Sequence, residues 1–483
     1  MKRHRKQRSG KRSKKRQCDR NKGIQHRFAV ESLETRALMA ANVLFDAGAL
    51  TLTGTASSDM VIVSTTKHGV DVRFNGELET FARGEVEKIT FHGNDGNDRF
   101  SNRTDIPVNA YGGDGNDVLV GGSKGDYLRG GNGDDRISGG SGNDIILGNG
   151  GRDYLNGMGG ADLINGGNGS DRIYGGSEED VIRGGTGSDI IYGQSGEDSI
   201  SGEGGDDWLF GGSGNDRIRG GSGHDKIFGN AGDDRLLGQG GRDVISGADG
   251  EDTLYGGDQN DHLYGGHGED QLYGGHGNDL LDGGADDDFA VGEDGRDRIE
   301  GGSGNDILKG GNHDDRINGG LGDDRLYGEA GNDVVKGDAG DDFAMGGDGQ
   351  DQIEGGNGND ILRGGNHDDR INGGIGNDSL YGEGGNDLLS GDDGNDRLDG
   401  GVGNDRLHGG RGDDYLWGRD GVDGLNGDSG NDRLFGGNHK DRLYGGSGDD
   451  YLNGNGGRDI LHGGSGSDTI VDWWDSYWGP WNG

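Results

Sequence analysis

The sequence predicts an all-β chain: a parallel β-helix-like solenoid of about 20 coils, two nonapeptides to each coil, with a small β-rich N-terminal cap. Three observations lead there. A nine-residue frame begins at Gly112 with GGDGNDVLV, GGSKGDYLR and GGNGDDRIS and runs without a slip to Val471. One aliphatic residue returns in each frame, as at Leu308 and Ile317. Finally, 117 Gly, 27% hydrophobic residues and a net charge of −42 leave too little apolar surface for ordinary layered domains in 483 residues.

The frame holds forty consecutive nonapeptides, 360 residues in all. Position 1 is Gly in all forty, from Gly112 to Gly463, and position 6 is Asp in all forty. Position 8 is Leu, Ile or Val in thirty-eight and Ala in two, Ala290 and Ala344. Position 4 is Gly in thirty-three, the exceptions being Lys124, Glu178, Gln259, Asp286, His313, His367 and His439. A disordered polyanion needs neither an apolar register nor an invariant carboxylate, so the pattern argues for a fold. Residues 283–337 and 337–391 match at an offset of 54, six nonapeptides, which points to a structural unit of two.

Local geometry follows from the residue types. Glycines at positions 1, 2 and 4 permit φ > 0 and close backbone approach, so positions 1–6 read as a tight turn. Positions 7–9 read as a three-residue strand whose central aliphatic faces away from its neighbours. Strand, turn, strand, turn closes one flattened coil. Coils stacked at ~4.8 Å place the position-8 residues between two parallel sheets. Same-side turns are then eighteen residues apart, so Asp117 stands next to Asp135 and Asp126 next to Asp144. Carboxylates stacked at that spacing repel strongly without a cation between them. Calcium suits such a column, because it takes six to eight oxygens and mixes carboxylates with backbone carbonyls; magnesium demands a stricter octahedron.

With its pattern Gly-Gly-x-Gly-x-Asp-x-aliphatic-x, the chain resembles the hemolysin-type, or RTX, calcium-binding repeat family over about three quarters of its length. The resemblance implies a β-roll in which each Ca2+ lies between turns of adjacent coils, held by Asp carboxylates and turn carbonyls. Carried over residue by residue, the metal ligands are Asp98, in the degenerate repeat GNDGNDRFS, and the position-6 aspartates. In the first half of the array these are Asp117, Asp126, Asp135, Asp144, Asp153, Asp162, Asp171, Asp180, Asp189, Asp198, Asp207, Asp216, Asp225, Asp234, Asp243, Asp252, Asp261, Asp270, Asp279 and Asp288. In the second half they are Asp297, Asp306, Asp315, Asp324, Asp333, Asp342, Asp351, Asp360, Asp369, Asp378, Asp387, Asp396, Asp405, Asp414, Asp423, Asp432, Asp441, Asp450, Asp459 and Asp468. Calcium is thus the expected cofactor and the first expected partner.

The flanking segments read differently. Residues 1–27 hold thirteen Lys or Arg against one acid, and Ala37, Ala40 and Ala41 follow, so residues 1–41 read as a basic export leader. Within it, SLETRALMAANV resembles the Leu-Glu-Pro-Arg-type leader of secreted and surface proteins of planctomycete bacteria, with Thr35 where Pro is usual. Residues 42–111 alternate in polarity, as in ALTLTG and MVIVSTT, and GVDVRFNGE reads as a hairpin strand and turn. With the degenerate repeats GTASSDMVI and GNDGNDRFS they form the expected N-terminal cap. The tail, residues 472–483, carries Trp473, Trp474, Trp478 and Trp481 and reads as a C-terminal cap, or else as a docking segment.

Several functions find no support. No His-Glu-x-x-His motif occurs, and Ser429 in GDSGN is an ordinary position 3 with no base beside it, so the expectation is no enzyme. The position-4 histidines read as turn residues rather than transition-metal ligands, and the single Cys18 excludes an internal disulfide. No run of 18 apolar residues suggests a transmembrane helix. The acidic body, and basic residues without interleaved aromatics, speak against nucleic acid. Arg occupies position 7 in twelve repeats and Tyr often position 9, read here as a solvated, charge-balanced surface. The expected protein is a secreted, extracellular or cell-surface calcium-binding β-roll that folds on calcium binding outside the cell, with a structural, matrix or spacer role. The alternative is an adhesin or carbohydrate-binding surface protein using the sheet face or the Trp-rich tail, with an extracellular polysaccharide or a surface protein as partner.

Overall fold

The computed structural model describes residues 42–471; residues 1–41, read from the sequence as a leader, and the Trp-rich residues 472–483 lie outside the described residues. All regular structure among the described residues is β. The first strands are β1 (Val43–Asp46), β2 (Ala49–Thr53), β3 (Met60–Thr66), β4 (Gly69–Phe74), β5 (Glu77–Ala82) and β6 (Lys88–Asp95). They lead through β7 (Arg99–Arg103), β8 (Val108–Asp114) and β9 (Val118–Val120) into the array. Its first full strands are β10 (Tyr127–Asn132), β11 (Arg136–Ser141) and β12 (Ile145–Gly150).

Alternate strands build two parallel sheets, as the eighteen-residue spacing requires. In sheet 1, β2, β6, β8, β10 and β12 are successive parallel neighbours. In sheet 2 the order is β3, β7, β9, β11. The solenoid makes about 21 turns, against the 20 read from the array, because the degenerate segments 54–62 and 93–101 wind into the same coil. At one strand spacing per turn it is roughly 100 Å long.

One local expectation is corrected. The strands are six residues long, covering positions 7–9 and continuing through positions 1–3, so the turn proper shrinks to positions 4–6. Neighbouring coils pair at positions 2 and 3 as well as 7–9: Gly131 with Asn149 and Asn132 with Gly150 extend the ladder, and only position 1 is skipped. A parallel neighbour on each side lets glycine-rich backbone satisfy its amides in the ladder, which outweighs glycine's low strand preference.

Between the sheets lies one continuous aliphatic column from Leu50 to Leu452, in which the position-8 residues, including Ala290 and Ala344, are buried. At the N-terminal end the edges are covered by antiparallel strands. β1 pairs antiparallel with β2, while β4 and β5 form a hairpin on β3, turning at Asn75 and Gly76 with φ 48° and 89°. The two additions meet where the Phe45 and Phe81 rings lie 5.1 Å apart. At the other end burial fades: Leu461 is partly buried and, in strand Thr469–Val471, Ile470 is 50% exposed, unlike the buried position-8 residues up to Leu452.

Candidate metal centre

The repeat Gly301–Lys309 shows how each turn is built. Its strand enters the turn through Gly302 and Gly304, both left-handed at φ 110° and 143°. Asn305, at position 5, donates its backbone N–H to Asp287 Oδ1 of the preceding coil at 2.7 Å. Asp306, at position 6, donates its N–H to Asp324 Oδ1 of the following coil at 2.8 Å. In turn Asp306 Oδ1 accepts the N–H of Asp288 at 2.8 Å. The structure therefore brings the position-6 aspartates together in two columns, one along each edge, with partners eighteen residues apart as the frame requires.

Only half of each carboxylate is engaged. In every position-6 aspartate from Asp98 to Asp450 except Asp126, Oδ2 is buried and has no hydrogen-bond partner. This oxygen points back at position 1. A methyl group added at Gly301 would collide with Asp306 Oδ2 and come within 2.6 Å of the carbonyl oxygen of Gly319, one coil on. Position 1 is thus Gly because carboxylate and carbonyl oxygens converge where a Cβ would be.

Electrostatics make the bare column unfavourable. Burial pushes Asp288 up to about 8; the Asp270 amide opposes this, and the charges of Asp270 and Asp306 add to it. Burial pushes Asp315 up to about 8 in the same way, with Asp297 and Asp333 as like-charged neighbours. Asp135, Asp144, Asp261 and Asp369 are likewise raised to about 8. A buried, half-partnered carboxylate of this kind needs either a proton or a cation.

The donor set selects the cation. No group of three or more His, Cys, Asp or Glu side chains converges among the described residues, so carboxylates alone do not form a cage. The other protein oxygens that converge there are backbone carbonyls of the turns, such as that of Gly319 beside Asp306 Oδ2. An all-oxygen, mixed carboxylate–carbonyl set suits a hard cation that tolerates irregular geometry, as calcium does, and not zinc or copper. The model of the RTX calcium-binding nonapeptide repeat matches in overlapping windows that together span residues 111–470. The chain belongs to the RTX calcium-binding nonapeptide repeat family. No curated protein matches the chain.

Ca2+ is the cofactor of RTX repeats, and the protein is a calcium-binding β-roll. A bound ion would supply the positive charge that the buried carboxylates lack; the Oδ2 atoms and turn carbonyls, which the chain holds in register, would be the groups to hold it. The RTX columns have distinct ends. Asp59, in GTASSDMVI, heads the column of Asp98: its N–H donates to Asp98 Oδ1 at 2.7 Å. Its own carboxylate accepts from the Thr55 N–H at 2.6 Å, the Thr55 hydroxyl at 3.1 Å and the Asn75 amide at 2.5 Å. Asp126 heads the other column and accepts the Val108 N–H at 2.7 Å on Oδ1 and the Gly122 N–H at 2.5 Å on Oδ2. Both first carboxylates are therefore satisfied by the protein itself. At the far end Asp468 Oδ1 takes the Asp450 N–H at 3.2 Å.

Sequence reasoning misses two features of the turns. Asp59 is within its reach, since it occupies position 6 of a recognised degenerate repeat. The second is a ladder at position 5. Along one edge Asn305, Asp323 and Asp341 each donate the backbone N–H to the position-5 side chain one coil back, at 2.7–2.9 Å. Its signal is the frequency of Asn and Asp at a position the family pattern leaves open. Position-4 His313 and His367 take φ 84° and 85°, and each Nδ1 lies 2.8 Å from the preceding carbonyl oxygen, Asn312 or Asn366. Ser429 donates its hydroxyl to the Gly410 carbonyl at 3.2 Å.

Proposed function

We propose that this calcium-binding β-roll is a secreted or cell-surface protein that folds when it meets calcium outside the cell and then serves as a stiff structural, matrix or spacer element without catalytic activity. The observation that carries the reading is the pair of buried Oδ2 columns, extending along the whole array. Each coil adds uncompensated buried charge, so ordering without a cation is opposed at every step, and calcium binding is linked to folding. The position-6 aspartates from Asp98 to Asp468 are the ligands in this reading; Asp126, already satisfied on both oxygens, is the weakest candidate. Residues 1–41 act as export leader, 42–111 as N-terminal cap and 472–483 as C-terminal cap.

Far-UV circular dichroism during a calcium titration, with a magnesium control, tests the reading. A cooperative coil-to-β transition with calcium and none with magnesium is expected. A full β spectrum in chelator at neutral pH would end it.

A second reading, adhesion, finds support on the sheet faces but not in sugar stacking on their tyrosines. Tyr174, Tyr192, Phe210 and Phe228 stack on one another at 4.8–5.0 Å and within 8° of parallel. Their faces are covered by each other and only ring edges look outward, so this ladder reinforces the coil stack.

A further inference from the structure

The residue pattern predicts charge-balanced sheet faces, and the outer face of sheet 1 departs from that. From β10 to the strand Tyr451–Gly456, positions 7 and 9 of nineteen strands carry ten Lys or Arg and one acid, Asp399. That acid is already paired with Arg419 at 2.6 Å. The protein's excess of carboxylates lies instead mainly in the turns, with Glu203, Glu293, Glu329 and Glu383 at position 2 toward the far end of the sheet 1 strands, while the strip formed by positions 7 and 9 is basic. The segregation follows from the frame: positions 4–6 build the turns, whereas positions 7 and 9 point outward from the strands.

The basic groups are densest at Arg183, Arg217, Arg219 and Arg235, all exposed. None of the four has an ion pair among the described residues. Arg217 and Arg235 are direct neighbours in register, a like-charged pair with no carboxylate placed between them. The Arg235 guanidinium lies over the Tyr255 ring, 4.8 Å from its centroid. Stacking of this kind orients the guanidinium and leaves its in-plane N–H donors open to an anion.

We infer that this face binds a linear acidic polysaccharide, through carboxylate or sulfate groups seated on the arginines. The inference deepens the adhesive reading above and rests on it. Charge complementarity selects an anion, and the recurrence of basic residues along the sheet selects a polymer carrying many of them. Width selects a single flexible chain: positions 7–9 span about 10 Å, and acidic turn residues such as Glu197 and Asp233 border them. A double-stranded nucleic acid is wider than this basic strip and would press its phosphates against the acidic residues that border it.

The test uses the full chain, calcium-loaded, against immobilised polygalacturonate, dextran sulfate, neutral dextran and duplex DNA, with circular dichroism on the same samples. Binding to one or both acidic glycans, weakened by salt, with none to neutral dextran, is expected; which of the two binds identifies carboxylate or sulfate as the ligand. The quadruple variant Arg183→Ser, Arg217→Ser, Arg219→Ser, Arg235→Ser should keep its β spectrum and bind about tenfold more weakly or worse. The same number of changes on sheet 2, at Arg316, Arg370, Arg406 and Arg442, should leave binding unchanged. Folded protein that binds no acidic glycan overturns the inference while leaving calcium-coupled folding intact. Unchanged binding by the folded sheet 1 variant, which would indicate calcium bridging at the turns, overturns it too, as does tighter binding to DNA.

Discussion

The backbone N–H of Asp306 donates to Oδ1 of Asp324 across 2.8 Å, while Oδ2 of Asp324 is buried with no partner. One carboxylate thus does two things: it ties adjacent coils through a neutral donor and presents a charged oxygen that the protein leaves unsatisfied. The two roles are separable by mutation.

Asp306→Asn retains an oxygen for the Asp288 amide and removes the charge. In chelator the variant should be more stable locally than the wild type, because column repulsion is relieved. In saturating calcium it should be less stable by about 1–3 kcal/mol, having lost a charged ligand. Hydrogen exchange over residues 280–330 reads both. An effect of the same sign in both conditions would show that Asp306 acts only through its hydrogen bond.

Gly301→Ala puts a methyl group where Asp306 Oδ2 and the Gly319 carbonyl converge. A cost of about 2 kcal/mol or more is expected, since backbone rather than a flexible side chain stands in the way. Ser303→Ala, two residues along, should stay within about 0.5 kcal/mol. Thermal unfolding in calcium distinguishes the two.

The response to pH depends on the metal. Asp288 and Asp315, raised to about 8 in the fold from an ordinary 3.8, favour the folded state when protonated. Their contribution is present in full below pH ~4 and is lost as pH rises through ~8. In chelator the β signal should therefore be larger at pH 5 than at pH 8.5. With calcium the midpoint concentration should rise as pH falls, because protons compete for the same oxygens. Circular dichroism titrations at the two pH values check both signs.

Phe81 closes the N-terminal end against Phe45 and is 1% exposed. Phe81→Ala should cost about 3–5 kcal/mol locally. Coils interact only with their neighbours, so amide exchange should accelerate over residues 42–111 while residues 280–330 stay protected. Uniform acceleration along the chain would contradict that nearest-neighbour picture.

The parallel stacking, the eighteen-residue register and the alternation of Leu308 and Ile317 between two sheets were legible in the residue pattern, because a period that never slips admits one way of burying its aliphatics. The six-residue strands were not. Gly310 and Gly311 have no side chains to announce a strand, and only the adjacent coils supply the ladder in which Gly311 and Asn312 pair. The two protein-satisfied carboxylates at the column heads were equally hidden. Asn75 reaches Asp59 because the β4–β5 hairpin folds back on β3, a contact that spans sixteen residues of sequence and is set by hairpin geometry.

By itself the sequence determined the coil, its register and which oxygens line its edges, since each follows from a strict nine-residue period and the alternation of side chains along a strand. The tertiary structure decided which of those oxygens remain without a partner and where opposite charges lie. Both depend on what stands in the next coil: a backbone amide can satisfy one carboxylate oxygen but not the second, and stacking turns on turns and strands on strands gathers acids at the edges and arginines on the faces.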